Sequence, residues 1–188
     1  MTDHDPTRLP PGLPVPVDDG AADHLLGLAI PRLTFASTHG PADLAEMARG
    51  TLVLYIHPRI ARPDRPLPPG WDATPGARGC TPQSCAFRDR YSIFAERGVV
   101  VAGLSAQTTE DQREAVERLA LPFPLLSDPA LALARELRLP TFEIGGMTLY
   151  KRLTLIAQHG RIVKVFYPVF PPDENAADVA AWLGGGER

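Results

Sequence analysis

Two cysteines, Cys80 and Cys85, are the whole thiol inventory of this chain. They stand five positions apart, where a proline-rich stretch gives way to helical periodicity, in Gly79-Cys80-Thr81-Pro82-Gln83-Ser84-Cys85-Ala86-Phe87-Arg88-Asp89. The thiolate is the reactive form of cysteine, and helix N-termini and neighbouring cations favour it. Cys80 falls just before the expected first turn, where unpaired backbone N–H groups and the helix dipole favour an anion. Arg78 precedes it, and Arg88 and Arg90 follow on the same helix. Cys85 lies further along and lacks the terminus. Cys80 is therefore the candidate nucleophile and Cys85 its partner. If both are helical, their Cα atoms stand about 8–9 Å apart on faces turned away from each other. A disulfide needs Cα atoms within about 7 Å, so the two could bond only if the first turn unwound or began after Cys80.

Other chemistries fit these thiols less well. Zinc asks for four ligands at recognisable spacing, and the chain has no second C-x-x-C or C-x-x-H pair to join His57 or His159. A buried, inert pair is the stronger alternative. The absence of C-x-x-C speaks against a dithiol reductase of the thioredoxin type.

The elements that must position the thiols can be read from the hydrophobic pattern. Thr51–Ile56 is a continuous apolar run, as for a central strand buried on both faces. From Pro58 to Gly79 prolines and glycines are too dense for helix or strand, so 58–79 reads as a long loop delivering the chain to Cys80. A helix is expected over 82–97, with Thr81 as N-cap and Gly98 as the stop. Val99–Ser105 is a second buried strand, and a helix follows over 109–119. Phe123–Leu126 is a short extended piece, and Asp128-Pro129 caps a helix over 130–137. Leu153–Ala157 and Ile162–Phe166 form a hairpin about His159-Gly160. A helix closes the chain over 174–183. Before the central strand, Ile30–Thr38 alternates like an edge strand, and 42–49 is expected to be a short helix. Residues 1–22, rich in Pro and Asp and without period, read as a flexible or draped arm. The order predicts an α/β domain over 23–188, a sheet with helices on both faces.

At 188 residues, net charge −3 and 44% hydrophobic residues, the chain can bury a sizeable core without disulfides. Its mild acidity argues against a nucleic-acid binder. It offers no run of roughly 18 apolar residues, so no membrane span is expected. Met1-Thr2-Asp3-His4-Asp5-Pro6 does not look like a secretory leader. The expected location is cytoplasmic, a reducing compartment in which a cysteine pair is more often catalytic or metal-binding than a permanent staple.

The segment from Gly79 to Asp89 resembles the G-C-T-x-[EQ]-x-C-x-[FL]-R-D signature of peroxiredoxins, and more narrowly the Q-type, or bacterioferritin comigratory, subfamily. The resemblance extends through Tyr55-Ile56-His57-Pro58, Val100–Ser105, Leu121–Asp128 and Lys151–Ile156, spanning about 28–183. It implies a thioredoxin-like fold and a peroxidase acting on hydrogen peroxide and organic hydroperoxides. In such enzymes Cys80 would become a sulfenic acid, Cys85 would resolve it as an intramolecular disulfide, and thioredoxin or a similar dithiol would reduce that disulfide. Arg152 matches the arginine facing the peroxidatic cysteine. The resemblance implies no metal or organic cofactor, no nucleic-acid or membrane partner, and a monomer or weak homodimer. The family's P-x-x-x-T-x-x-C motif is displaced here. Strict spacing puts Ala77 at the threonine position, and Pro58 and Thr74 stand as the displaced counterparts, with a backbone N–H or Thr81 as substitute donors. Two other readings remain: a thioredoxin-fold disulfide reductase or isomerase, and a peroxide-sensing switch without fast turnover. The loop's Arg59, Arg62, Arg65 and Trp71 are expected to shape the pocket.

Overall fold

The computed structural model describes residues 8–185. The elements in chain order are β1 (Thr34–Ser37), β2 (Ala42–Asp43), α1 (Leu44–Met47), β3 (Thr51–Ile56), α2 (Cys80–Asp89), α3 (Tyr91–Ala95), β4 (Val99–Ser105), α4 (Thr109–Leu119), β5 (Leu125–Ser127), α5 (Ala132–Leu137), β6 (Thr141–Ile144), β7 (Met147–Tyr150), β8 (Leu153–Gln158), β9 (Arg161–Phe166) and α6 (Asn175–Gly184). Single 3₁₀ turns at Asp23–Leu25 and Trp71–Ala73 complete them.

Seven strands form one mixed sheet in the order β2-β1-β5-β4-β3-β8-β9. At its centre β3 runs parallel to β4 and antiparallel to β8. Side chains alternate faces along a strand, and β3 uses both. Leu52, Leu54 and Ile56 join the core that receives Leu44 of α1 and Leu133 and Leu137 of α5. Val53 and Tyr55 join the core that receives Phe87 of α2, Phe94 of α3, Leu119 of α4 and Val179 of α6. The continuous apolar run at 51–56 is thus explained by burial on two sides. This is the α/β sheet with helices on both faces that the pattern implied.

Several local expectations are revised. The helix expected over 42–49 shrinks to one turn, because Ala42–Asp43 pairs with β1 and the Asp43 carboxylate accepts from the N–H groups of Ala45 and Glu46. The helix expected over 82–97 begins two residues earlier and breaks at Arg90. Its N-cap is Gly79, not Thr81. Gly79 has φ +108°, and a Cβ there would stand 2.3 Å from Pro172 and 2.9 Å from Leu9; only glycine meets both demands. The hairpin β6–β7, a separate two-stranded sheet, did not emerge from the pattern. It packs beside the 58–79 segment, where Trp71, Ala77 and Leu149 form a small core of their own.

The 58–79 segment is held down by side chains. Arg62 and Arg65 both pair with Asp111 of α4 at 3.1 Å, and Arg118 of the same helix donates to the Ala61 carbonyl at 2.9 Å. Residues 8–22 drape over the same side of the molecule, where Asp19 pairs with Lys151 at 2.6 Å and accepts from Tyr167 at 2.7 Å. Those two contacts hold the Asp19 carboxyl well below the usual carboxylate range. Residues 1–7 of the expected arm lie outside the described residues.

Candidate active site

α2 places the thiols. Tyr55 of β3 stacks on Phe87, with ring centroids 4.6 Å apart, and its hydroxyl donates to Ser84 at 3.1 Å. Burial pushes the Tyr55 phenol up, so it stays a neutral donor. The ring can lie there because its strand neighbour is Gly103, where a Cβ would meet Tyr55 at 2.7 Å and Leu125 at 2.5 Å. The helix is therefore pinned at Ser84 and Phe87, and Cys80 is its first residue.

Both thiols are free and buried. Cys80 Sγ accepts from one Arg152 guanidinium N–H at 3.2 Å and from the backbone N–H of Arg59 at 3.3 Å. It also faces the Ala77 carbonyl at 3.8 Å. Arg152 itself is buried, immediately before β8. The nitrogen that reaches the sulfur also donates to the carbonyls of Gly76, Ala77 and Arg78 at 3.1–3.2 Å, and its sister nitrogen donates to the Gln83 side-chain carbonyl. Gln83 in turn donates to Asn175 of α6 at 3.0 Å, and Thr154 of β8 donates to the same oxygen at 2.7 Å. Among the described residues no carboxylate pairs with Arg152. The acceptor within its reach that can carry negative charge is the Cys80 sulfur, and a buried cation is costly without such a partner.

Cys85 lies on the same helix, where the partly exposed Arg88 side chain is the donor beside its sulfur. Burial pushes its thiol up, with Arg88 pulling the other way. Five residues of regular helix rotate Cys85 about 140° from Cys80 and separate their Cα atoms by about 8–9 Å. The fold as it stands holds the two sulfurs apart, and bonding them requires the first turn of α2 to open.

Thr74 does not join these groups. Its hydroxyl donates to the Gly70 carbonyl at 2.9 Å, closing the turn at Trp71–Ala73. It lines a second cavity, of about 230 Å³, with Pro16, Val17 and Tyr167. The extra Ala77-Arg78 lengthens the path from Thr74 to Cys80. The donor that meets the sulfur comes instead from the other end of the segment, the Arg59 N–H. Thr81 is buried at the cavity that Cys80 opens into but makes no bond to the sulfur.

Gln107 escaped the sequence reading. Its buried side-chain amide clamps Ile60 on both sides, accepting from the Ile60 N–H at 2.8 Å and donating to the Ile60 carbonyl at 3.0 Å. This fixes the residue next to Arg59. His57, in the sequence a possible ligand and part of the Tyr55–Pro58 stretch that carries the resemblance, is fully buried and stacks on Tyr55 at 5.6 Å. Among the described residues no three His, Cys, Asp or Glu side chains come together as a metal site. No helix among them is long and apolar enough to cross a membrane.

A mixed sheet of this order, with a buried thiol leading a helix beneath a buried guanidinium, defines a thioredoxin-fold thiol redox protein. The redoxin family profile matches residues 25–182. Peroxiredoxin Q, chloroplastic, of Sedum lineare is 30% identical over 151 residues, which cover 79% of this chain and 72% of that one. Among solved structures, peroxidoxin BcpB from Mycobacterium tuberculosis superposes with a TM-score of 0.70 at 23% identity, covering 87% of this chain and 98% of that one. The Xanthomonas campestris bacterioferritin comigratory protein, solved in work on its alkyl peroxide reduction activity, superposes with a TM-score of 0.64 at 21% identity, covering 92% and 98%. The chain belongs to the redoxin family and, within it, to the Q-type peroxiredoxins. It is accordingly a thiol-dependent peroxidase, an oxidoreductase.

Proposed function

We propose that Cys80 is the peroxidatic cysteine, Cys85 the resolving cysteine and Arg152 the group that holds both sulfur and substrate, in a peroxidase for hydrogen peroxide and organic hydroperoxides. The observation that carries this reading is the pair of donors on Cys80 Sγ, one of them the buried Arg152 cation with no carboxylate partner among the described residues. The sulfur attacks the nearer peroxide oxygen, an S–O bond forms as the O–O bond breaks, and the alkoxide leaves and takes a proton as alcohol, or as water from hydrogen peroxide. Sulfur is oxidised by two electrons to a sulfenic acid and the peroxide is reduced by two. Arg152 supplies fixed positive charge where negative charge moves from sulfur to the leaving oxygen.

Cys85 then attacks the sulfenic sulfur, and the hydroxyl leaves as water with the Cys85 proton, giving the disulfide. A helix that must open first makes this a conformational step. A dithiol reductant, thioredoxin by our reading, returns two electrons through a mixed disulfide. A reducing compartment such as the cytoplasm suits that supply.

The test is stopped-flow peroxide consumption with mass spectrometry. Cys80→Ser is expected to lose the reaction. Cys85→Ser is expected to consume one equivalent, accumulate sulfenic acid on Cys80 and stop turning over. Full activity in Cys80→Ser would refute the assignment.

A further inference from the structure

Arg152 meets its surroundings through two of its three nitrogens. One holds the Cys80 sulfur and the carbonyls of Gly76, Ala77 and Arg78. Another donates to the Gln83 side-chain carbonyl. The third, Nε, is buried without a hydrogen-bond partner among the described residues. Besides Cys80, Gln83 is the one side chain among the described residues that bonds the guanidinium. The plane of the fork, and with it the aim of its N–H at the sulfur, depends on that amide.

A glutamine amide can be turned over in a way that a carboxylate cannot. Its two ends are alike in size, but a guanidinium accepts nothing, so only the oxygen end serves Arg152. Turned over, the amide would set NH2 against N–H in a buried place, where unpartnered donors are costly. With glutamate at this position of the signature the question would not arise, since both oxygens accept. The far end of the amide settles it. There Gln83 Nε2 donates to Asn175 Oδ1 at 3.0 Å, and the Thr154 hydroxyl donates to the same oxygen at 2.7 Å. All four residues are buried. Arg152 and Thr154 stand two apart where β8 begins, on one side of the strand, so the series of bonds starts and ends there. Asn175 is the first residue of α6, and α6 is seated on α2. Ala176 and Val179 share a core with Phe87, and Pro172 lies so close to Gly79 that a Cβ there would stand 2.3 Å from it.

From this series of bonds we infer that Asn175 is a positioning residue for the peroxidase reaction. Its side-chain oxygen holds the Gln83 amide with the carbonyl toward Arg152, and so fixes the aim of the guanidinium at the Cys80 sulfur and the incoming peroxide. No hydrogen bond joins Asn175 to the sulfur or to Arg152 among the described residues, so it acts through Gln83. The inference rests on Cys80 being the peroxidatic cysteine and adds a residue far along the chain to its support.

The test compares rates of Cys80 oxidation by hydrogen peroxide, read by stopped-flow in full-length variants, with near-UV circular dichroism checking the fold. Asn175→Leu keeps the volume and removes the oxygen. Its rate is expected to fall on the order of tenfold, the scale of a small misplacement of a reacting group. Asn175→Asp keeps an acceptor for Gln83 and Thr154 and is expected to recover most of that loss. In an Arg152→Lys background the effect is expected to vanish, because an ammonium has no second nitrogen for Gln83 to hold in plane. Adding Asn175→Leu there should change the rate by less than about twofold, whereas a general loosening of α2 would slow both backgrounds alike. Asn175→Ala serves the same comparisons should leucine prevent folding. A first variant within about twofold of the parent, no recovery with aspartate, or equal falls in both backgrounds overturns the positioning role and leaves Cys80 as peroxidatic cysteine intact. A parent whose Cys80 takes up no oxygen from peroxide, by mass spectrometry, would overturn both.

Discussion

Arg152 carries a burden that no other cation could take over. One nitrogen serves the Cys80 sulfur and three loop carbonyls, and the other holds Gln83 of α2. A lysine ammonium has three donors on a flexible stem and no fork, so Arg152→Lys keeps the charge and loses the geometry. Its rate of Cys80 oxidation is expected to fall about a hundredfold, read by stopped-flow, with near-UV circular dichroism checking that the fold persists. A rate within twofold of the parent would show that charge alone suffices. At this scale the sequence was informative about residues whose chemistry is intrinsic. Cys80 and Cys85 could be ranked as candidates by type and spacing, whereas Arg152 entered only through the family resemblance. Thr74 could not be placed, because where its hydroxyl goes depends on a turn at Trp71–Ala73 that the proline density concealed. The donor that does meet the sulfur, the Arg59 N–H, has no side-chain signature at all.

Among the elements, the strands of the main sheet were legible because burial on two faces writes an unbroken apolar run, as at Thr51–Ile56 and Val99–Ser105. The β6–β7 hairpin was missed although its turn signal is present. Gly145-Gly146, both with positive φ, is the two-residue turn that a tight hairpin requires. Its strands are four residues long and only partly buried, so the flanking alternation is weak. The 58–79 segment read as a structureless loop, yet contacts from outside it give it order, and these carry no local pattern. Gln107 is the contact nearest the chemistry. Gln107→Leu would leave the N–H and carbonyl of Ile60 unpartnered in a buried place, at a cost of about 2–4 kcal/mol, and would release the Arg59 N–H from its position at Cys80. A lower urea midpoint and slower Cys80 oxidation are expected together. Glutamate offers only the acceptor half of the clamp, so Gln107→Glu should fall between parent and leucine. A leucine variant with unchanged oxidation rate would separate the clamp from the site.

For the whole molecule, the cost of this architecture concentrates at His57, where β3 ends. The ring is fully buried against Tyr55, and neither ring nitrogen has a hydrogen-bond partner among the described residues. Burial, reinforced by the positive charge of Arg152, pushes its pKa down to about 3, against about 6.5 in an unfolded chain. Between those values the unfolded chain binds a proton that the folded one refuses, so stability rises with pH through the window and is lost as pH falls below about 6.5. The slope approaches about 1.4 kcal/mol per pH unit for one proton, or about 2 kcal/mol between pH 7 and 5, a range lying above most carboxylate titration. Phenylalanine fits the same stack on Tyr55 and cannot titrate. His57→Phe is therefore expected to flatten the fall in urea-unfolding free energy between pH 7 and 5 by about 2 kcal/mol, whatever its absolute stability. Identical pH slopes in parent and variant would mean that His57 finds a proton-bearing partner in the folded protein. The same neutral ring has a place in the redox design. His57 donates its backbone N–H to Leu104 at 3.0 Å, holding the strand end from which Arg59 reaches Cys80, and a ring that stays uncharged adds no second cation beside Arg152 to compete for the sulfur.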